Sequence, residues 1–377
     1  MAAVFYIAHC WYGAVVPVRA SVGRGARAVP DLRRLPPVPS AQELLDTAFS
    51  RGSKATPPKA PPRRRARAGE LARVGTAAKT LEARLNRVVR GFPSIDQLHP
   101  FYRELVEVLV GVDRLRKSLG AIQWAHDQVH RLRVRAEADI RQTSTTQAAR
   151  DARRAVYGRM ASVVGQVDRD LTLLADARSR LRGLPVLDLD HPVLVVAGYP
   201  NVGKSSLLAR ISRAAPEIAP YPFTTKGVVL GHVETERGRV QVMDTPGLLD
   251  RPLADRNPIE RQAIGALRHA ADAILFLVDP HGHCGYPERD QLALLDQVRQ
   301  DFGETPLLVA ANKADLGPVR LEPAMSLTTG EGVDAVVDLA LSATWSGFDA
   351  RQKAAWAEAG DGAADASTYG ATMEPER

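Results

Sequence analysis

Residues Gly198-Tyr199-Pro200-Asn201-Val202-Gly203-Lys204-Ser205 follow directly on five apolar residues, Val193-Leu194-Val195-Val196-Ala197, and precede a helical spacing over 204–213. A short, wholly apolar run is the pattern of a strand buried on both faces of a parallel sheet. The spacing G-x-x-x-x-G-K-[ST] between a strand and a helix is that of a phosphate loop. There backbone N–H groups and the helix N-terminus cradle phosphate oxygens. This feature commits the second half of the chain to an α/β domain whose ligand sits at the carboxyl ends of the strands. Further apolar runs at Ala273–Val278 and Leu307–Ala311 supply parallel strands, and helices are expected at 258–270 and 287–301. Alternation over Val228–Glu234 and Arg239–Met243 predicts a hairpin around Arg237-Gly238.

Three more segments fall in order behind the phosphate loop: Tyr221-Pro222-Phe223-Thr224-Thr225-Lys226-Gly227, Asp244-Thr245-Pro246-Gly247 and Asn312-Lys313-Ala314-Asp315. Lys204 is expected to reach the β- and γ-phosphates and Ser205 to bind Mg²⁺; Gly198, Val202, Gly203 and Ser206 complete the cradle. Asp244, at the end of a strand, suits a Mg²⁺ ligand, direct or through water, and Gly247 leaves its N–H free for the γ-phosphate. Thr224 or Thr225 would close over metal and γ-phosphate, ordering with triphosphate and loosening after hydrolysis. Asp315 can accept from N1–H and the 2-amino group of guanine; adenine offers neither donor and would strand a desolvated carboxylate. Such rejection is strong, on the order of 10⁴-fold. Lys313 is expected along the base, Asn312 beside it, and Ser326, on a short strand Met325-Ser326-Leu327, behind the guanine. The ligand implied is GTP or GDP.

Ahead of Val193 the period is helical. Apolar residues recur at steps of three and four from Leu71 to Val88, from Leu105 through Trp124 toward Ile140, and from Val156 to Leu181, with stops at Gly91-Phe92-Pro93 and Gly183-Leu184-Pro185. These stripes predict three helical units burying one another as a bundle. The expected fold class is thus α/β: a P-loop GTPase domain with a mainly parallel sheet and flanking helices at 191–342, preceded by an all-α bundle at 69–190. Residues 1–68, rich in Arg, Pro and Ala, are expected to be largely disordered, apart from an island of helical spacing at Ala41–Phe49 that could dock. Residues 343–377, mostly Gly, Ala and charge, are expected to form a loose tail.

The formal net charge of +7 is unevenly placed, with twelve Lys/Arg against Glu70 and Glu82 between Arg51 and Arg90. That stretch suits a polyanion, RNA or ribosome before a membrane surface, or else a solvated tail. Met1–Val18 is apolar but has no basic flank and is interrupted by His9 and Pro17. It reads as neither signal peptide nor stable membrane anchor, and could precede the natural start codon. Two cysteines, Cys10 and Cys284, exclude a disulfide framework and fit a reducing cytoplasm. His281-Gly282-His283-Cys284 lacks a partner cluster for a structural metal site and reads as a loop after a strand. A monomer without DNA contact is expected.

The four nucleotide motifs, together with Leu248-Leu249-Asp250-Arg251-Pro252, Asp255-Arg256-Asn257-Pro258-Ile259-Glu260, His99-Pro100-Phe101-Tyr102 and the Gly158-Arg159-Met160 region, resemble GTPases of the Obg-type superfamily. The closer resemblance, over residues 36–340, is to the nucleolar GTP-binding protein subfamily in its short archaeal form. The resemblance implies GTP hydrolysis as a molecular switch in assembly of the large ribosomal subunit, with the helical domain on ribosomal RNA. It favours Thr225 as the Mg²⁺ ligand of the threonine pair, and Lys204, Thr225 and Asn201 as the residues serving hydrolysis. No counterpart of the long C-terminal extension of eukaryotic members is expected, and no family resemblance is recognised over residues 1–30.

Some switch GTPases place a Gln after Asp-x-x-Gly to orient water. Leu248 stands there and cannot, so slow intrinsic hydrolysis is expected. Asn201 at its phosphate-loop position is similar to that of potassium-activated GTPases, which makes K⁺ a candidate cofactor; Asn201 capping the loop is the alternative. A GTP-sensing, RNA-binding regulatory module with incidental hydrolysis is the second reading of the chain as a whole.

Overall fold

The computed structural model describes residues 32–57, 61–213, 215–222, 227–251 and 256–365, with only the backbone of 62–64, 259 and 357–365. Six helices come first: α1 Ala41–Ser53, α2 Pro62–Gly91, α3 Pro100–Leu109, α4 Val112–Gln142, α5 Thr146–Gln166 and α6 Asp168–Leu181. The apolar stripes read from the sequence face one another. Val74, Leu81 and Leu85 of α2, Ile122 and Val129 of α4, and Met160 of α5 are all fully buried.

Three expectations for this half are corrected. The run expected to continue from Pro100 toward Ile140 is two helices, because Gly111 adopts φ 86°, a left-handed conformation that ends α3 and re-aims the chain into α4. Likewise, the run to Leu181 divides at Val167 into α5 and α6. The described part of 1–68 is ordered. A 3₁₀ turn spans Leu32–Arg34, and α1 carries a capping box between Ser40 and Glu43 and buries Leu44 and Ala48 in the core. The helix α2 starts at Pro62, not Gly69; proline suits a first helical position, and arginine is a good helix former. Arg67 in its second turn donates to the carbonyls of Arg141 and Thr143 at the end of α4, at 3.0 and 2.8 Å.

The second half alternates: β1 Val193–Ala197, α7 Lys204–Ile211, β2 Glu217–Ala219, β3 Val228–Thr235, β4 Gly238–Asp244, α8 Pro258–Leu267, β5 Ala273–Val278, α9 Glu288–Phe302, β6 Leu307–Ala311 and α10 Val333–Asp365. The sheet runs β2-β3-β4-β1-β5-β6, with β1 parallel to β4 and β5, β5 parallel to β6, and β3 antiparallel to both neighbours. Four parallel strands therefore deliver their carboxyl ends to one edge, where residues 198, 279 and 312 follow and Asp244 ends β4.

The expected tail after 342 is instead the continuation of α10. Its small residues mark close packing: a Cβ on Gly347 would collide with the backbone carbonyl of Asp272, so the helix lies directly on the start of β5. Arg351 seals the contact, its Nε 2.8 Å from the buried Asp272 carboxylate, which also accepts the Val193 N–H at 2.8 Å. Burial raises the Asp272 carboxyl to about 6 despite the Arg351 charge.

The two halves share a continuous core. The Tyr102 hydroxyl of α3 accepts the Leu187 N–H at 2.8 Å, α3 packs on α8, and Glu104 lies 3.1 Å from His269. Among the described residues no helix is long and apolar enough to cross a membrane.

Candidate nucleotide-binding site

The phosphate loop runs from the end of β1 into α7. Gly198 and Gly203 adopt φ 129° and 112°, and a Cβ on Gly203 would run into the Asn312 amide. Val202 is buried, while Asn201, Ser205 and Ser206 are exposed. The Lys204 ammonium is buried and donates to the carbonyls of Gly198 and Tyr199 at 2.7 and 2.8 Å. Burial pulls it down from the usual lysine range, opposed by the nearby carboxylates of Asp244 and Asp250. A buried ammonium held only by neutral carbonyls is poised for an anion.

Ser205 opens α7 and donates its hydroxyl to Asp244 Oδ2 at 2.6 Å. Asp244 is fully buried, and its Oδ1 has no hydrogen-bond partner among the described residues. Burial raises this carboxyl, and Asp250 adds to the effect, while Ser205 and Lys204 pull it back. A buried carboxylate oxygen without a partner, beside a serine hydroxyl and at the mouth of a phosphate loop, is a donor set that fits a hard divalent cation. The third expected ligand, Thr225, lies outside the described residues, as does Thr224.

The Thr245–Leu248 turn closes with the Leu248 N–H on the Thr245 carbonyl, at 3.1 Å, and carries Gly247 at φ 80°. The Gly247 N–H was expected to be free. It donates instead to Asp250 Oδ2 at 2.7 Å. Leu248 is buried in the core, so this position faces away from any attacking water. Leu249 accepts the Gly198 N–H at 3.0 Å, which joins this loop to the phosphate loop.

At the far side of the edge, Asn312 is buried. Its amide donates to the Val202 carbonyl at 2.7 Å, and its Oδ1 accepts the Leu327 N–H at 3.2 Å. Lys313, at φ 65°, places its ammonium 2.7 Å from Asp279, which also accepts the N–H groups of Cys284 and His281 at 2.6 and 3.1 Å. Burial raises the Asp279 carboxyl, but Lys313 and the two backbone donors outweigh it and leave it below its ordinary value. Asp315, in a 3₁₀ turn, is exposed and without a hydrogen-bond partner among the described residues. The expected short strand at Ser326 is only a bridge at Ala324; Ser326 sits in the following turn, buried, with its hydroxyl accepting the Thr329 N–H at 3.1 Å.

Hydrogen bonds at this edge link the phosphate loop to Asn312 through the Val202 carbonyl, to Asp244 through Ser205 and to the Gly247 loop through Leu249. Three residues were not anticipated: Asp279, Asp250 and Arg256. Asp279 had a positional signal, since it follows an apolar strand as Asp244 and Asn312 do. Asp250 and Arg256 stood in the motifs that carry the family resemblance, but nothing in those motifs gave them a role, because they act on backbone groups of a turn.

Residues 32–188 match the family model described as the NOG1 N-terminal helical domain, and residues 193–313 the model described as a 50S ribosome-binding GTPase. The chain is 40% identical over 295 residues to uncharacterized protein MJ1408 of the archaeon Methanocaldococcus jannaschii, covering 77% of this chain and 83% of that one. It is 34% identical over 292 residues to nucleolar GTP-binding protein 1 of Arabidopsis thaliana and 33% identical over 289 residues to that of Drosophila melanogaster. Those matches cover 77% and 76% of this chain but 44% of each relative, so the chain spans less than half the length of either.

Proposed function

The chain belongs to the nucleolar GTP-binding protein family, and from that premise we propose that it binds GTP and GDP at this sheet edge and hydrolyses GTP as a slow switch. The observation that carries the reading is the convergence of Lys204, the Ser205–Asp244 pair and the Asn312–Asp315 segment on one rim. On this reading Gly198, Val202, Gly203 and Ser206 line the phosphates, with Lys204 turning from loop carbonyls to the β- and γ-phosphates. Asp315 reads N1–H and the 2-amino group of guanine, while Lys313 and Ser326 flank the base. Mg²⁺, held by Ser205, Asp244 and Thr225, would offset charge on the β- and γ-phosphate oxygens. The buried Leu248 supplies no group to orient water, which is the basis for a slow intrinsic rate.

Asn201 supports the potassium reading over the capping one. Its side chain is exposed and makes no hydrogen bond with the described residues, although its backbone is left-handed at φ 62°. Hydrolysis is expected to be faster in K⁺ than in Na⁺, and equal rates would remove K⁺ from the mechanism.

The reaction serves, on this proposal, the assembly of large ribosomal subunits, with RNA held by the helical domain. One observation supports coupling between the halves and a second supports RNA binding. The helix after the Gly247 loop, α8, is the one α3 packs against. Exposed Arg65 and Arg150, free of carboxylate partners among the described residues, line a cavity of about 400 Å³ at the far end of the bundle, with Arg73. Replacing Arg65 and Arg150 should weaken RNA binding and flatten its salt dependence; Arg67 is a poorer probe because it caps α4. Depletion of the protein with profiling of ribosomal particles tests the role. Accumulating large-subunit precursors support it, whereas association with mature ribosomes alone favours an RNA-bound sensor with incidental hydrolysis.

A further inference from the structure

The loop that should sense the γ-phosphate already holds an anion. Asp250 Oδ2 accepts the Gly247 N–H at 2.7 Å, and the carboxylate is mostly sheltered from solvent. Arg256 presents it there. Its side chain is 1% exposed, donates to the carbonyls of Gly247 and Arg251 at 2.8 and 3.0 Å, and lies 3.8 Å from Asp250 Oδ1. The loop cannot drift from the phosphate site, because Leu248 and Leu249 are buried and Leu249 accepts the Gly198 N–H.

We propose that Asp250 is an internal surrogate for the γ-phosphate and sets the preference of the pocket between GTP and GDP. This rests on the guanine-nucleotide reading of the pocket given above. The carboxylate takes the backbone donor that only a third phosphate would need, so the diphosphate leaves it in place and the triphosphate must displace it. A triphosphate therefore meets a like charge as well as a competitor for one charge-assisted hydrogen bond. When Asp250 is displaced, Arg256 remains beside it as a cation. The loop then has two arrangements, one closed on its own aspartate and one closed on the nucleotide. Arg256 directly precedes Asn257, the N-cap of α8, so the exchange is made next to the helix that touches the helical domain.

The test is equilibrium binding of GDP and of a GTP analogue with an imido group bridging the β- and γ-phosphates, with Mg²⁺, to the full chain and to Asp250→Asn and Asp250→Ala. The aspartate-to-asparagine change keeps shape and an acceptor but removes charge, whereas alanine removes both. The ratio of analogue to GDP affinity should rise in the order wild type, Asp250→Asn, Asp250→Ala, by about tenfold or more at the end of the series. If the alanine variant does not fold, the asparagine variant decides by itself. An unchanged or lowered ratio, with GDP still bound, overturns the role of Asp250 alone. A wild-type chain that binds neither nucleotide overturns the pocket reading and this inference together.

Discussion

At the base end of the pocket, Asn312, Lys313 and Ser326 are tied to scaffold: the Val202 carbonyl, the Asp279 carboxylate and the turn at Thr329. At the phosphate end, Ser205 and Asp244 are tied to each other, Gly247 to Asp250, and one Asp244 oxygen to nothing among the described residues. The difference follows what each end has to recognise. Guanine is common to substrate and product, so the groups around it gain from being fixed before binding. Metal and γ-phosphate come and go in turnover, and the groups proposed to meet them carry partners that a ligand can replace. Asp315, proposed to read the base edge, is exposed and without a hydrogen-bond partner among the described residues, as suits a group that must compete with water.

The largest expected effect lies at that residue. Asp315→Asn swaps one acceptor for a donor that faces the guanine 2-amino group donor to donor. Affinity for GTP should fall by roughly 10³- to 10⁴-fold, with the GDP loss similar, because the base is shared. A 2-oxo base, xanthine, accepts where guanine donates, so XTP affinity should rise in the variant. Competition binding with GTP, GDP and XTP measures all three. A loss confined to GTP would break the comparison, since it would place Asp315 at the phosphate end.

A smaller effect is expected from Ser205→Ala. The hydroxyl is both the proposed metal ligand and, among the described residues, the one side-chain hydrogen-bond partner of Asp244, so its removal strands a buried carboxylate. The gain in nucleotide affinity on adding Mg²⁺ should shrink by at least roughly tenfold. The nucleotide-free chain should lose about 1–3 kcal/mol. Titration with and without Mg²⁺, alongside thermal unfolding, separates the two losses. A Mg²⁺ response equal to that of the wild type would remove Ser205 from the metal site.

The unequal construction of the two ends explains what could be read in the sequence. Strand β1, the phosphate loop and Asn312–Asp315 were legible because each pairs an unmistakable period with an unusual residue. The apolar stripes of α2 and α4 were legible for the same reason. Helix α10 was not, since alanine and glycine used for close approach to Asp272 have the composition of a loose tail. Helix α1 showed only as a short island because it contributes few core residues, chiefly Leu44 and Ala48, to a core built by its neighbours. The Asp250–Gly247 bond was hidden because a backbone N–H has no letter in a sequence. Asp250 belonged to a motif that marked the family, but an aspartate three residues past a glycine does not name its partner.

The smallest effect sharpens the comparison most, because it sets one buried carboxylate at each end against the other. Asp279 titrates below its ordinary value of 3.8 and Asp244 above it. A lowered carboxyl stabilises the fold at every pH above the unfolded value and loses that contribution as pH falls through the folded one. A raised carboxyl does the reverse: the fold prefers its neutral form, and stability is lost as pH rises from 3.8 through the folded value. Asparagine mimics the neutral form in each place. Asp279→Asn should therefore destabilise the nucleotide-free chain at pH 7 by about 1–3 kcal/mol, since it leaves Lys313 unpaired and removes a charged acceptor from two N–H groups. The difference from wild type should begin to close as pH falls below 3.8 and vanish once pH has fallen through the lowered value of the folded chain. Asp244→Asn should leave the nucleotide-free chain as stable as wild type or more so at pH 7, while abolishing the response to Mg²⁺. Urea unfolding of the three chains at pH 7 and pH 3.5 reads both signs. Equal destabilisation by the two substitutions would mean that both ends are built as fixed scaffold, and the distinction between a preformed base site and an exchangeable phosphate site would fall.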